Sequence, residues 1–172
     1  MSEYVLRTNE IGIENPPSKE VADCINAWKS WCGDAKLPVW SGGKMLMDLP
    51  PKILPLTLIA DVVTEPMDFI YRYWGSGFTD MHGFDLTGKS CREIKPEEFG
   101  KIVFQAQLDV YTRKAPYLYA GETVSNGQIV INEYVLRTPM SSDGETVNKI
   151  MTNVWMNRWD AYNWFHEERE DG

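Results

Sequence analysis

The octapeptide Gly83–Ser90, GFDLTGKS, spells the phosphate-loop pattern G-x-x-x-x-G-K-[ST] letter for letter. Whether the chain can use it that way separates a parallel α/β fold from an antiparallel one. A phosphate loop needs a buried strand running into the glycine turn and a helix starting at the Lys-Ser pair. Only then do free backbone N–H groups and the helix dipole face the anion. The preceding residues, Gly77-Phe78-Thr79-Asp80-Met81-His82, are polar and turn-like, and Pro96 follows Ser90 too soon for a stable helix. Leu56–Asp61 (LTLIAD) imitates a magnesium-binding Asp at a strand end, but it precedes the loop with almost no helix between. The strands read elsewhere are joined by short hairpins rather than by the crossovers that parallel strands require. The expected sheet is therefore antiparallel, and nucleotide hydrolysis is not expected.

The hairpins are legible along the chain. Leu56–Thr64 and Asp68–Trp74 flank a tight turn at Glu65-Pro66, and Phe69, Tyr71 and Tyr73 alternate with Ile70, Arg72 and Trp74. Tyr117–Val124 runs into Asn126-Gly127, the strongest short hairpin signal, and Gln128–Met140 follows. After the turn Ser141-Ser142-Asp143-Gly144 a last strand spans Thr146 to about Met156. Two helices interrupt the strands. Ser18 caps one over Lys19–Trp31, with Val21, Ile25, Trp28 and Trp31 at helical spacing and Gly33 as its stop. The other runs from Pro96 or Glu97 to Thr112 with Phe99, Ile102, Val103, Ala106 and Val110 on one face. Leu37–Pro55 is loop-rich.

The boundaries that follow are an irregular N-terminal arm over 1–17, a helix over 18–35, a main domain over 36–158 and a tail over 159–172. Glu3–Thr8 (EYVLRT) recurs as Glu133–Thr138 with unmatched flanks, so there is no internal duplication. Coincidence is the main reading; the other is that the arm lies as a strand on a sheet edge, of this chain or a neighbour. Near the C-terminus Trp155, Trp159 and Tyr162 fall at i, i+4 and i+7, with Trp164-Phe165 close behind. They read either as a cap on the core or as a partner or dimer surface.

Composition excludes several functions. With 172 residues, 43% hydrophobic and rich in aromatics, the chain is long enough for one domain with a real core. The net charge of −8, without clustered Lys and Arg, argues against a nucleic-acid partner or an anionic membrane surface. Three cysteines, Cys24, Cys32 and Cys91, form no C-x-x-C, and only His82 and His166 are there to join them. Neither a zinc site nor a disulfide framework is expected, and the default is a reducing compartment. The start MSEYVLRTNE lacks a signal-peptide pattern, and no apolar run is long enough to span a bilayer, so a cytoplasmic protein is expected.

Particular residues carry a family likeness. Leu37-Pro38 opens a segment in which Pro50–Pro55 precedes a strand containing Asp61. Phe69-Ile70-Tyr71-Arg72 and Gly75 follow, then Gly83-Phe84-Asp85-Leu86-Thr87-Gly88, and finally a strand ending in Trp155. Over about residues 36–158 this resembles a bacterial PAS-like family with the pattern leucine-proline, strand, F-x-Y-R, G, then G-x-D-L-T-G. The resemblance implies an α+β fold: a five-stranded antiparallel sheet with helices on one face and a small-molecule cavity between them. It also implies a sensory or ligand-binding role in signal transduction, exerted in trans because no output domain is recognisable. With no G-x-S-x-G and no His pair or His-carboxylate cluster in the sequence, an enzyme is not expected.

Within PAS relatives, light-oxygen-voltage domains bind flavin through a cysteine in a G-x-N-C-R-F-L-Q loop. Gly88, Cys91 and Arg92 match, but Ser90, Glu93, Ile94 and Lys95 replace Asn, Phe, Leu and Gln. A flavin photosensor using Cys91 is thus the lesser alternative. Haem, with His82 or Cys91 as axial ligand, is also disfavoured, and the cofactor stays open. The ligand-lining candidates are Tyr71, Tyr73, Phe78, His82, Phe99, Val103, Tyr134 and Thr152, chosen for strand position and for mixing apolar walls with polar handles. Expected partners are a small-molecule ligand and either a second copy, as a homodimer, or a signalling protein. The alternative function is a ligand-free adaptor or dimerisation module. An Asp61–His82 pair is the only catalytic pairing worth inspecting.

Overall fold

A computed structural model describes residues 4–156. Their strands form one antiparallel sheet in the order β1-β4-β5-β6-β2-β3, built from β1 (Tyr4–Ile11), β2 (Thr57–Thr64), β3 (Met67–Trp74), β4 (Tyr117–Ser125), β5 (Gln128–Ser141) and β6 (Val147–Met156). The architecture is α+β. The five strands expected from the sequence are present, and β1 adds a sixth. This corrects the irregular arm: Tyr4–Ile11 pairs antiparallel with β4, with Thr8 opposite Gly121 and Ile11 opposite Leu118. Glu10 also accepts a 2.6 Å ion pair from Arg113. The tail residues Trp159, Tyr162, Trp164 and Phe165 lie outside the described residues.

Local chemistry explains the connections. Asn126 (φ 51°) and Gly127 (φ 78°) both take positive φ, the two-residue turn whose twist suits a hairpin. At the β5–β6 turn Ser141 Oγ accepts the Gly144 N–H, and Asp143 Oδ1 accepts those of Thr146 and Glu145. These bonds hold the Asp143 carboxyl well below the usual carboxylate range. The loop-rich stretch before β2 contains two short 3-10 helices, Gly43–Asp48 and Pro51–Leu56. Ahead of them Trp40 N–H donates to Ser141 O, and Ser141 N–H donates to Pro38 O. The Leu-Pro segment is thereby tied to the end of β5.

Helix α1 (Lys19–Cys32) starts where Ser18 Oγ accepts the Val21 N–H and ends at Gly33. It buries Val21, Cys24, Ile25 and Trp28, and Trp28 Nε1 donates 2.9 Å to Pro139 O on β5. These residues share one hydrophobic cluster with Leu118, Leu136, Met140 and Met151 of the sheet. Every residue from Val135 to Ser141 is buried. Since alternate side chains of a strand face opposite ways, both faces of the sheet are covered there.

The other face carries α2 (Ser76–His82) and α3 (Glu97–Arg113), with α3 lying across β3, β5 and β6. The buried stripe of α3 is Gly100, Val103, Gln107 and Val110, while Ile102 and Ala106 are only half-buried. The stripe is rotated from the expected one because Gly100 fits beneath the Cys91–Glu93 turn, where a Cβ would sit 3.0 Å from Ile94 O.

The segment resembling a phosphate loop has another task. Gly88 N–H donates 2.7 Å to Tyr71 O, and Tyr71 N–H donates 3.0 Å to Lys89 O, so the loop covers the free edge of β3. Four more N–H groups of the loop are spent locally: Gly83 to Thr79 O, Lys89 to Leu86 O, Thr87 to Asp85 Oδ1 and Ser90 to Glu93 Oε2. A phosphate would find these donors occupied.

Gly75, which joins β3 to α2, donates its N–H to Thr57 O and packs hard against the chain entering β2. A Cβ there would sit 2.4 Å from Pro55 O and 2.8 Å from Thr57 O, both backbone atoms that cannot swing aside. Gly75→Ala is therefore expected to cost about 3 kcal/mol. Urea unfolding checks it, and a loss below about 1 kcal/mol would mean this crossing is looser than described.

Candidate functional site

Between the sheet and the α2–α3 face lies a cavity of about 50 Å³. Its floor follows from strand register. Arg137 is paired with Thr152 and Thr152 with Leu58, which in turn faces Trp74, so these four form one row across β5, β6, β2 and β3. The next row is Val135 with Val154, and beyond it Glu133 with Met156. Along β5 the floor thus runs from a guanidinium through an apolar middle to a carboxyl. Helix α2 supplies the roof: Phe78 and His82, one turn apart, stack with centroids 6.4 Å apart, and Trp74 packs against both. Ile94, Phe99 and Val103 close the side toward α3.

Six of the eight expected liners face this cavity: Tyr71, Phe78, His82, Phe99, Val103 and Thr152. Tyr73 and Tyr134 do not. The β2–β3 pairing is shifted by a bulge, so that Ile59 faces Tyr73 while Ala60 faces Tyr71. Tyr71 and Tyr73 consequently point to opposite faces despite their i, i+2 spacing, and Tyr73 donates its hydroxyl to Leu54 O. Tyr134 sits between Glu133 and Val135 on β5, turns outward and is 39% exposed. Placing Tyr134 inward is a one-residue error, and it hides the alternate set Ile131, Glu133, Val135 and Arg137. Their i, i+2 spacing was available in the sequence, but an acid and a base at alternate strand positions ordinarily mark a solvated face.

The polar groups of the cavity are deeply placed. Arg137 is 4% exposed; its Nη1 donates 2.7 Å to Thr152 Oγ1 and its Nη2 donates 3.3 Å to the Tyr119 hydroxyl. No carboxylate among the described residues lies within 4.0 Å of it, and its Nε has no hydrogen-bond partner. The Tyr71 hydroxyl is fully buried and likewise without a partner. The buried amide of Gln107 approaches it from α3 without reaching hydrogen-bond geometry. Burial, above all, pushes the Tyr71 phenol up, so it stays protonated. Glu133 is half-buried and lies over Gly121, whose missing Cβ leaves room for the carboxyl. Desolvation lifts the Glu133 carboxyl to about 7, against the opposing pull of the Arg137 charge.

The residues do not fit a flavin site. Cys91 is fully buried in the Cys91–Glu93 turn and does not line the cavity. Burial first, then the Asp68 charge, pushes its thiol up to about 12, the reverse of an activated cysteine. The cavity holds roughly four waters at ~10–15 Å³ each, whereas sites for drug-sized ligands occupy roughly 300–1,000 Å³. A haem is excluded by the same dimension, although His82 does face the cavity. Asp61 does not meet His82; its carboxylate is engaged by Arg72 and Lys149 outside the cavity. Among the described residues no group of His, Cys, Asp and Glu could hold a metal, and no helix is long and apolar enough to cross a membrane.

No family model matches the chain, and no curated protein matches it. Among solved structures, an RNA-binding light-oxygen-voltage receptor aligns over 99% of this chain at 14% identity, with a TM-score of 0.43. The chain spans 44% of the length of that receptor.

Proposed function

We propose that this chain is a PAS-like ligand-binding domain of a sensory protein. A small molecule enters between the sheet and the α2–α3 face, and its occupancy is passed to a partner protein or a second copy rather than converted by chemistry. The observation that carries this reading is the cavity between the sheet and the helices, whose apolar walls converge on buried polar groups at Arg137, Tyr71 and Thr152. A few oriented polar groups in an otherwise apolar hollow are what fix a ligand's orientation and identity. The strand order supports it too, because β2 and β3 lie beside the last strand, β6, and leave one sheet face for α2 and α3. Val154, in the middle of the floor, is the residue through which to close the hollow.

Val154→Phe adds about as much bulk as the cavity can hold. Thermal-shift titration with a panel of short acids, amides, alcohols and amines is expected to give saturable stabilisation for at least one class, lost in Val154→Phe. No response from any class, or responses kept by the filled variant, would sink the ligand-binding reading.

Glu133 makes the charge of the cavity depend on pH near neutrality. Its folded pKa of about 7 lies above the ordinary 4.5, so the folded state holds the proton more tightly than the unfolded one. Its contribution is fully present below about pH 4.5 and is lost as the pH rises through 7. Glu133→Gln is therefore expected to be more stable than the natural chain at pH 8, by on the order of 2 kcal/mol after allowance for partial exposure. The gap should close by pH 4.5. Parallel unfolding curves at the two pH values read it, and a pH-independent gap would contradict the assignment.

A further inference from the structure

We propose that the cavity is a receptor for a short aliphatic monocarboxylate, with the carboxylate taken by the Arg137 Nε–H and the Tyr71 hydroxyl. This rests on the ligand-binding reading above and names the ligand's chemistry.

The argument begins with an electrostatic imbalance. A guanidinium keeps its charge in any protein environment, and taking an ion out of water costs several kcal/mol unless its charge and donors are answered. Arg137 is 4% exposed, two neutral oxygens meet its Nη atoms, and Nε is left over. The nearest acid on its own strand, Glu133, lies four residues away, roughly 13 Å along the backbone at ~3.3 Å per residue. The other ionisable groups that feel Arg137 are the phenols of Tyr71, Tyr119 and Tyr117 and the Cys91 thiol, all of which burial keeps neutral. A ligand carboxylate beside Nε would supply the missing negative charge, and the Tyr71 O–H would donate to its second oxygen. Charge-assisted bonds of this kind are about twice as strong as neutral ones.

Geometry narrows the class further. The row beyond Arg137 and Thr152 is Val135 with Val154, flanked by Val103, Ile94 and Ile131. A tetrahedral inorganic anion would face these apolar walls with unanswered oxygens, whereas an alkyl chain fits them. The volume of about 50 Å³ limits that chain to a few carbons. At the far end Glu133 faces any group reaching past the valines, which disfavours a second carboxylate. Propionate and butyrate meet these conditions; propionamide lacks the charge, and succinate carries one too many.

Isothermal titration of the full chain with propionate, butyrate, propionamide and succinate at constant ionic strength tests this. Propionate or butyrate should bind saturably, at least tenfold more tightly than propionamide, with succinate weaker still. Tyr71→Phe removes one oxygen and should weaken the acid about tenfold without altering amide binding. Arg137→Met should abolish the preference for acids; a buried charge replaced by an apolar side chain of similar length often leaves a protein as stable or more so. Should Arg137→Met nonetheless fail to fold, Tyr71→Phe alone decides. Equal binding of acid and amide, or acid binding unchanged in Tyr71→Phe, overturns the carboxylate assignment. If uncharged probes bind and Val154→Phe blocks them, this inference falls while the ligand-binding reading stands. If neither acids nor any member of the wider panel bind, both fall.

Discussion

Two backbone hydrogen bonds, Gly88 N–H to Tyr71 O and Tyr71 N–H to Lys89 O, hold the working half of the molecule in place. β3 is the last strand of the sheet, and an uncovered edge would leave a row of peptide groups open to another chain. The loop that covers it is shaped by its own sequence. Asp85 Oδ1 accepts from both the N–H and the hydroxyl of Thr87, Leu86 is buried, and Gly88 takes the φ of 81° that brings its N–H to Tyr71. Ser90 then caps the next turn, with Glu93 returning a bond to the Ser90 N–H. Cys91 and Ile94 are thereby driven inward, and Arg92 lies over Phe104 of α3 at 3.6 Å. Edge protection and the wall of the cavity are thus one piece of structure.

The same hydrogen bonds anchor the strand on which the cavity's geometry changes. At Tyr71 the backbone is clamped from outside; one residue later the bulge begins, so Tyr71 points in, Arg72 pairs with Asp61, Tyr73 points out and Trp74 points in again. Without the bulge, Tyr71 and Tyr73 would share a face and Trp74 would turn away from the cavity. The aromatic contacts of Trp74 with Tyr71, Phe78 and His82 depend on that switch.

Much of the fold was legible because its signals are local. Asn-Gly at a hairpin, Ser18 before a helix and alternation along β3 each reflect a preference set within a few residues. What was not legible depends on partners far away in sequence, and the hexapeptide EYVLRT makes the point within one chain. As residues 3–8 it runs into β1, and as residues 133–138 it lies in β5, pairing with β4 from its two sides. Val5 is 49% exposed and Arg7 is exposed, whereas Val135 and Arg137 are 2% and 4% exposed. Identical letters give an edge strand in one place and the floor of a cavity in the other. The difference lies in α3 and the neighbouring strands, which only the assembled sheet supplies. For the same reason Arg137 escaped notice in the sequence, where a basic residue in an alternating strand looks like solvent contact.

That contrast also bears on why Arg137 is buried at all. An arginine at the edge, like Arg7, keeps its hydration at no structural expense, and a Leu or Met at 137 would pack against Thr152 and Val135 without the cost of desolvating an ion. A core selected for stability alone has no use for the guanidinium. Its surroundings are arranged to tolerate it in part: Thr152 and Tyr119 answer the Nη atoms, and Tyr71 stays protonated beside it. They stop short of neutralising it, since the one carboxyl on the same strand face stands two rows away over Gly121, with its own pKa raised. An internal ion pair would have made the site inert. Keeping the acid and base apart, with Val135 between them, leaves a positive end that a ligand's charge can complete.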